Sequence, residues 1–372
     1  MSAAALAESP RIAPRLLSRN PARRRVDLWL FGCGNVGGQL LEILHNRGSV
    51  IREREAIDLR VVAITTTRGS WGDAQGLSTG SFREAAPVPT PPELLLRRMA
   101  LQNHPIFVDL TAAQDVGSLY RSVADAGLAI VSANKLPFVA AIHHYETLLE
   151  KARNGRGIFY ETTVGADLPV LAPIIDRVRS GDDILRVEGS LSGTLGLLSD
   201  AVSRGVPLDQ AVLDAKARGT TEPDPAEDLS GLDVARKAVI IARELGLAVE
   251  LSNVELEGFV SSAVLESAKT IGLGAALAAE TPRFSERVAG FTRASRVLRY
   301  LATIDPRART VRVGPVAVAK DHPAASLSGT EALVSIVSER SGASAVTIRG
   351  PGAGGAVTAS GVLADILRAS RA

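Results

Sequence analysis

Between residues 222 and 237 the chain carries Glu222-Pro223-Asp224-Pro225-Ala226-Glu227-Asp228-Leu229-Ser230-Gly231-Leu232-Asp233-Val234-Ala235-Arg236-Lys237. Five of the first twelve residues are acids, and a lysine closes the stretch. The Pro223 and Pro225 rings are expected to stiffen the acidic part and keep it out of a helix. From Leu232 the apolar residues Leu232, Ala235, Val239 and Ala242 recur at helical spacing until Gly246. Residues four apart on a helix are neighbours, so Asp233 and Lys237 can touch. A rigid acidic loop feeding a helix-borne acid and lysine can hold a substrate amino group and donate a proton. A structural reading competes: Ser230 to Asp233 also fits a capping box, and Asp233 with Lys237 an ordinary ion pair.

A second chemical signal lies near the other end. The apolar run Val26-Asp27-Leu28-Trp29-Leu30-Phe31 enters Gly32-Cys33-Gly34-Asn35-Val36-Gly37-Gly38, and an amphipathic stretch leaves it. A strand running through GxGxxG into a helix is the context a dinucleotide fingerprint requires. Gly32 makes the tight turn, Gly34 admits a pyrophosphate, and Gly37 lets helix and strand pack closely. Asn35 and Val36 open the helix whose N-terminus receives the anion. The next strand, Leu59 to Ile64, should end at the residue that reads the adenosine ribose. A carboxylate there favours NAD, and an arginine accommodates a 2′-phosphate. This chain has Thr65-Thr66-Thr67-Arg68 and no acid, which favours NADP over NAD.

The elements that position these residues follow from the rest of the chain. Its 372 residues, 46% hydrophobic and 22% charged, suit a globular protein of two domains. With a net charge of +2 and no basic run in the body, neither nucleic acid nor membrane is an expected partner. The single cysteine, Cys33, excludes internal disulfides and suggests a cytoplasmic setting. The five histidines form no metal spacing with it, and the His143-His144 pair reads as a solvated helix face. Six lysines stand against 36 arginines, which singles out Lys135 and Lys237, because a lysine pKa shifts where an arginine stays charged.

Residues 1–25, rich in Ala, Arg, Ser and Pro, are expected to form a disordered tail; a transit peptide fits the same composition. Residues 26–150 alternate strand and helix patterns, which implies a parallel sheet. A Gly/Pro/Ser-rich excursion is expected over 68–92. The strands Ile106 to Thr111 and Leu128 to Lys135 end in polar residues. Ligands of open α/β sheets lie beyond such ends, so Thr111 and Lys135 can line the cofactor cleft. Residues 160–345 read as a more open α+β domain. The turn Gly350-Pro351-Gly352-Ala353-Gly354-Gly355 before a final helix suggests a second cofactor contact and a return to the first domain.

In order, Gly32 to Gly38, Ala133-Asn134-Lys135, Glu161-Thr162-Thr163-Val164-Gly165-Ala166, Gly189 to Thr194, Thr221-Glu222-Pro223-Asp224-Pro225 through Lys237, and Gly350 to Gly354 resemble the hallmarks of homoserine dehydrogenase. The resemblance runs from about residue 26 to the C-terminus. It implies a Rossmann-type parallel-sheet nucleotide-binding domain (26–159 and 346–372) plus an α+β catalytic and dimerisation domain (160–345). It also implies a homodimer and reversible NAD(P)H-dependent reduction of L-aspartate 4-semialdehyde to L-homoserine, on the route to threonine, methionine and isoleucine. By position, Lys237 resembles the proton donor, with Asp233 and Lys135 completing the catalytic set. Glu222, Asp228, Asp233 and Thr194 resemble substrate contacts, and Lys135, Thr111 and Gly354 cofactor contacts. Glu161, Val164, Ala166 and Leu168 fall where the family binds a monovalent cation, Na⁺ or K⁺, largely through main-chain oxygens. Two positions depart from the pattern: Thr220 stands where the family usually has Tyr, and Asp167 where it usually has Gly. No room is seen after Gly350 for the regulatory domain that many members append, so the short form is expected.

Rival chemistries fit less well. A thioester-forming aldehyde dehydrogenase needs a thiolate, and Cys33 is committed to the cofactor turn. Zinc alcohol dehydrogenases need Cys and His ligands that are missing. No Tyr is followed four residues later by Lys. A nucleotide-sensing regulatory protein without catalysis is the alternative from another class, and the presence of both Lys135 and Lys237 argues against it.

Overall fold

The computed structural model describes residues 24–342 and 344–372. The expectation for the N-terminal tail therefore falls outside the described residues, except that Arg24 and Arg25 already belong to the first strand rather than to the tail.

The first sheet is built from β1 (Arg24–Phe31), β2 (Ile57–Thr66), β3 (Gly69–Gly72), β4 (Ile106–Asp109), β5 (Ala129–Ser132) and β6 (Ile158–Phe159), in the order β3-β2-β1-β4-β5-β6. Between them run α1 (Asn35–Glu55), α2 (Pro92–Met99), α3 (Gln114–Ser118), α4 (Tyr120–Asp125), α5 (Leu136–Val139) and α6 (Ile142–Asn154). All pairs are parallel except β2 with β3. Helices cover both faces, so β1 is buried from Val26 to Phe31 and β4 throughout, and both read as apolar runs. The Gly/Pro/Ser-rich excursion expected over 68–92 contains the strand β3. The chain turns at Arg68 and folds back on β2, and Trp71 then packs edge-on against Phe82 at 5.3 Å.

The crossing to the second unit uses α7 (Thr162–Gly165) and α8 (Leu171–Arg179). The second sheet contains β7 (Ile184–Ser190), β8 (Glu255–Leu256), β9 (Arg296–Asp305), β10 (Thr310–Ala319), β11 (Glu331–Ser338) and β12 (Val346–Pro351), ordered β12-β11-β7-β9-β10-β8. Its helices are α9 (Gly193–Ser203), α10 (Leu208–Ala217), α11 (Pro225–Leu229), α12 (Leu232–Glu244), α13 (Ser262–Ile271) and α14 (Leu273–Arg293). The last helix, α15 (Gly355–Ala369), packs on α1. The expected domain boundary at 346 therefore shifts. Residues 346–351 pair antiparallel with β11 and belong to the second sheet, and the chain rejoins the first unit only at α15. The physical reason is the two-residue alternation of Val346-Thr347-Ile348-Arg349, which suits a half-exposed edge strand.

α12 is the spine of the second unit. It buries Val234, Ala235, Ala238, Val239, Ile240, Ile241 and Ala242; each Val or Ile contributes about 1.5–3 kcal/mol when fully buried. Its C-terminal end is tied to the first unit. The Tyr145 hydroxyl donates to Glu244 Oε1 at 2.8 Å, and Tyr160 donates to the same oxygen. The buried Arg243 guanidinium donates to the Phe138 carbonyl at 2.9 Å. The N-terminal end of α12 is thereby held facing the C-terminal edge of the first sheet.

Candidate active site

The acidic loop is less extended than its prolines suggest. Pro225 takes the first position of α11, and the Asp224 carboxylate caps that turn by accepting the Ala226 N–H at 3.0 Å. Proline is tolerated there because the first-turn N–H has no helical partner. α12 then starts at Gly231, whose φ of 73° is left-handed. A Cβ at Gly231 would lie 1.8 Å from the Tyr300 hydroxyl, so only glycine fits. The capping box does not form. Ser230 Oγ accepts the Leu232 N–H at 3.2 Å, and the Asp233 carboxylate turns to two lysines instead.

Asp233 Oδ2 lies 3.0 Å from Lys237 Nζ, and Asp233 Oδ1 lies 3.2 Å from Lys135 Nζ. Lys237 also donates to the Leu191 carbonyl at 2.7 Å. One carboxylate thus bridges a lysine from the first unit and a lysine from the second. Burial alone would raise the Asp233 pKa, but the Lys237 and Lys135 charges outweigh it and hold the carboxyl well below the usual range. Burial pushes the Lys237 ammonium down from its ordinary value. The Lys135 charge adds to that fall, and Asp233 offsets part of it.

The other acids cluster opposite. Asp228 Oδ2 accepts the Glu222 N–H at 2.8 Å, and Thr194 Oγ1 donates to the Thr220 carbonyl at 2.7 Å. Burial, then repulsion from Asp228 and Asp233, raises the Glu222 carboxyl. Burial also raises Asp228, against hydrogen bonds from Glu222 and Thr194. Glu222, Asp228 and Asp233 line a cavity of about 960 Å³ together with Thr111 and Lys135. Ser192 caps α9 by accepting the Leu195 N–H at 3.1 Å.

The Gly-rich turn has the shape its spacing predicts. Gly32 has a φ of 91°, and a Cβ there would meet the Leu110 carbonyl at 2.9 Å. A Cβ on Gly37 would meet the Gly32 carbonyl at 2.6 Å, whereas at Gly34 and Gly38 nothing lies within 4 Å. The turn is closed on one side by carbonyls and open at Gly34 and Gly38, which fits a pyrophosphate at the N-terminus of α1. Asn35 and Val36 begin that helix. Gly354 caps α15 beside them; a Cβ on Gly355 would strike the Asn35 side chain at 2.3 Å. Arg68 sits in the β2–β3 turn with its guanidinium 6.0 Å from the Trp71 ring.

The four residues expected to bind a cation adjoin the crossing between units. The Glu161 side chain is already committed: it accepts N–H groups of Val170, Leu171 and Ala172 at 2.6, 2.5 and 2.8 Å. Only main-chain oxygens of Glu161, Val164, Ala166 and Leu168 remain for a cation. Among the described residues no group of three or more His, Cys, Asp or Glu side chains could hold a metal ion. Asp167 is exposed. Thr220 turns inward on its own loop, donating to the Ala215 carbonyl at 2.9 Å.

Two features escaped the sequence reading. Asp109, fully buried at the end of β4, accepts from Thr111 Oγ1 at 2.7 Å, Tyr120 at 2.9 Å and Asn134 Nδ2 at 3.0 Å. Burial raises its carboxyl while those donors oppose the rise. It fixes both loops that present Thr111 and Lys135; its one signal was an acid ending an apolar strand. Arg83, from the excursion after β3, donates to the Cys33 carbonyl at 3.1 Å and had no signal of its own.

A glycine turn with room for a pyrophosphate and a half-exposed acid bridging two lysines are features expected of a nicotinamide-nucleotide oxidoreductase. The model of the homoserine dehydrogenase NAD-binding domain matches residues 32–161, and that of the homoserine dehydrogenase domain matches 169–367. Homoserine dehydrogenase of Emericella nidulans is 34% identical over 290 residues, covering 75% of this chain and 79% of that protein. The bifunctional aspartokinase/homoserine dehydrogenase of Haemophilus influenzae is 34% identical over 352 residues; the match takes in 93% of this chain and 43% of that protein. This chain spans about two fifths of the length of such bifunctional relatives. A hyperthermophilic archaeal homoserine dehydrogenase mutant in complex with NADPH superposes with a TM-score of 0.71 at 25% identity, covering 93% of this chain and 98% of that one. The chain belongs to the homoserine dehydrogenase family.

Proposed function

We propose that this chain catalyses the reversible reduction of L-aspartate 4-semialdehyde to L-homoserine with NADPH, in threonine, methionine and isoleucine biosynthesis. The observation that carries this reading is the Asp233 carboxylate held between Lys135 and Lys237 at the floor of the cleft. Lys237, as an ammonium, stabilises the oxygen that gains charge at the carbonyl and protonates it. Burial brings its pKa down from the lysine value, so the proton is released more readily than from a surface lysine. Asp233 keeps the ammonium charged and oriented. Glu222 and Asp228 accept hydrogen bonds from the substrate ammonium, and Thr194 sits beside them. Lys135 and Thr111 face the cofactor, which when bound supplies the hydride. Gly32, Gly34, Asn35, Val36 and Gly37 cradle its pyrophosphate, with Gly354 alongside. Arg68 meets the 2′-phosphate, a role supported by the missing acid at the end of β2. The main-chain oxygens of Glu161, Val164, Ala166 and Leu168 offer a monovalent cation a site that braces the crossing between units. A cytoplasmic homodimer completes the reading, on the family resemblance and the single cysteine.

The test is an initial-rate assay with L-homoserine, comparing NADP⁺ with NAD⁺ by nicotinamide absorbance. Faster turnover with NADP⁺ supports the reaction and the role of Arg68. Faster turnover with NAD⁺ keeps the reaction and removes that role. No turnover with either, from folded protein that binds NADPH, overturns the reaction.

A further inference from the structure

The acid at the end of β4 is one that the proposed reaction does not use. The cavity wall carries Thr111, Asn134 and Lys135. Asp109, 0% exposed, lies behind them in hydrogen-bond contact with the first two. A buried carboxylate is costly unless its oxygens are filled, and here both are. Oδ1 accepts the Thr111 N–H at 2.8 Å and the Thr111 hydroxyl at 2.7 Å. Oδ2 accepts the Tyr120 hydroxyl at 2.9 Å and Asn134 Nδ2 at 3.0 Å. A carboxylate has about four acceptor sites, so this one is spent on the protein itself.

Two of its partners belong to the cofactor side of the cleft. Thr111 gives its hydroxyl proton to Asp109 and accepts the Ala113 N–H at 3.2 Å. Its methyl is thereby turned to the glycine turn, where a Cβ at Gly32 would lie 3.0 Å from Thr111 Cγ2. Asn134, 1% exposed, also donates from Nδ2 to the Ala113 carbonyl at 2.9 Å, and its Oδ1 accepts the Leu136 N–H at 3.0 Å. One side chain thus holds the chain on both sides of Lys135, whose Nζ reaches Asp233 at 3.2 Å. Asp109 and Ser132 are partners across the parallel β4–β5 pair, so a single acid sits where both loops leave the sheet.

We propose that Asp109 is a positioning residue for the nicotinamide nucleotide: it holds Thr111 against the glycine turn and, through Asn134, Lys135 at the cleft, and so sets NADPH affinity without touching the cofactor. This role rests on the cofactor site proposed above. It demands a carboxylate. The Thr111 N–H and the Asn134 amide are fixed donors on opposite oxygens. In Asp109→Asn an NH2 group meets a donor whichever way the new amide is turned, and one loop must shift. Turning the Asn134 amide instead would break its bonds to Ala113 and Leu136. Tyr120 is different, for it joins Asp109 to Ser132 Oγ at 2.5 Å. Its removal leaves the Asp109 bonds to Thr111 and Asn134 in place.

The probe is NADPH, titrated by nicotinamide fluorescence into the full chain without substrate. Because turnover plays no part, the outcome stands apart from that of the dehydrogenase assay. Asp109→Asn should weaken NADPH binding at least about tenfold. Tyr120→Phe cuts a buried bond to the same carboxylate but no tie to a cofactor loop. It should lower the thermal midpoint and change NADPH affinity by less than about twofold. Thr111→Val keeps the methyl, cuts the hydroxyl tie in a half-buried loop, and decides the matter if the asparagine variant does not fold. About threefold weaker binding is expected there. Unchanged affinity in folded Asp109→Asn, or in Thr111→Val, overturns the proposal. So does an equal loss in Tyr120→Phe, which would leave the network a stabilising one only. No NADPH binding to the unaltered chain at roughly 1 mM overturns it as well.

Discussion

The two walls of the cleft are made of different materials. The wall proposed for the nucleotide is backbone: Gly32 and Gly37 are pinned against carbonyls, and Gly34 and Gly38 leave open space. The wall around Asp233 is side-chain charge: the Lys237 and Lys135 charges hold the Asp233 carboxyl low, and burial, with Lys135 adding and Asp233 opposing, brings the Lys237 ammonium down. Binding a pyrophosphate needs N–H groups and room, which a rigid turn supplies without titrating. Moving a proton needs a group whose pKa can be tuned, which burial and neighbours supply. The first wall should therefore fail through shape and the second through charge.

The largest effect is expected on the charged wall. Lys237→Ala should lower kcat by on the order of 10³-fold and leave NADPH affinity nearly unchanged; near-normal kcat would remove Lys237 from the reaction. Asp233→Asn sharpens the point. Without its main counter-charge, the Lys237 pKa falls further, so fewer molecules carry the ammonium as pH rises. The alkaline fall in the aldehyde-reduction rate should move to lower pH in a pH–rate profile. An unmoved limb would mean that another group donates the proton.

The glycine wall gives a paired test of shape. In Gly37→Ala the new methyl would stand 2.6 Å from the Gly32 carbonyl, so the turn must move. A loss of about 1–3 kcal/mol in stability is expected, seen as a lower thermal midpoint. Gly34→Ala meets nothing within 4 Å, so its midpoint should hold. Its methyl projects into the open space proposed for the pyrophosphate, and NADPH affinity should fall about tenfold. Equal midpoints for the two variants would break the distinction. A smaller effect belongs to Arg68→Ala, which should raise the KM for NADP⁺ by about tenfold and spare NAD⁺.

The same contrast explains what could be read from the sequence. Backbone function leaves a spacing signature, so Gly32, Gly34 and Gly37 stand out in the sequence; in the structure a Cβ at Gly32 or Gly37 would meet a carbonyl, and Gly34 faces open space. Side-chain function is legible only within one element. The Asp233–Lys237 pair follows from helical periodicity, but Lys135 reaches Asp233 from about a hundred residues away, and no local pattern encodes that distance. The acidic loop is shorter than its prolines suggest for a related reason: Pro225 forbids a helix interior but favours a helix start, and Asp224 as cap decides between them. β12 pairs with β11 of the second sheet, which the sequence does not specify because a short alternating strand does not say which sheet edge it will meet.

A third region joins the two walls, and it should show the smallest effect. Asp365 on α15 is 1% exposed, and its carboxylate accepts the Glu161 N–H at 3.0 Å and the Arg368 guanidinium at 2.7 Å. Burial pushes its pKa up from 3.8 to about 6, against the Arg368 hydrogen bond and charge. Between those values the native state holds a proton that the unfolded chain releases. This contribution to stability is full below pH 3.8 and is lost as pH rises through about 6. Asp365→Asn cannot titrate, so its unfolding free energy should fall less steeply over that window. The slopes should differ by up to one proton, about 1.4 kcal/mol per pH unit. Denaturant melts across the window decide it: parallel slopes would assign the titration to another buried acid and leave the seam between the walls insensitive to pH.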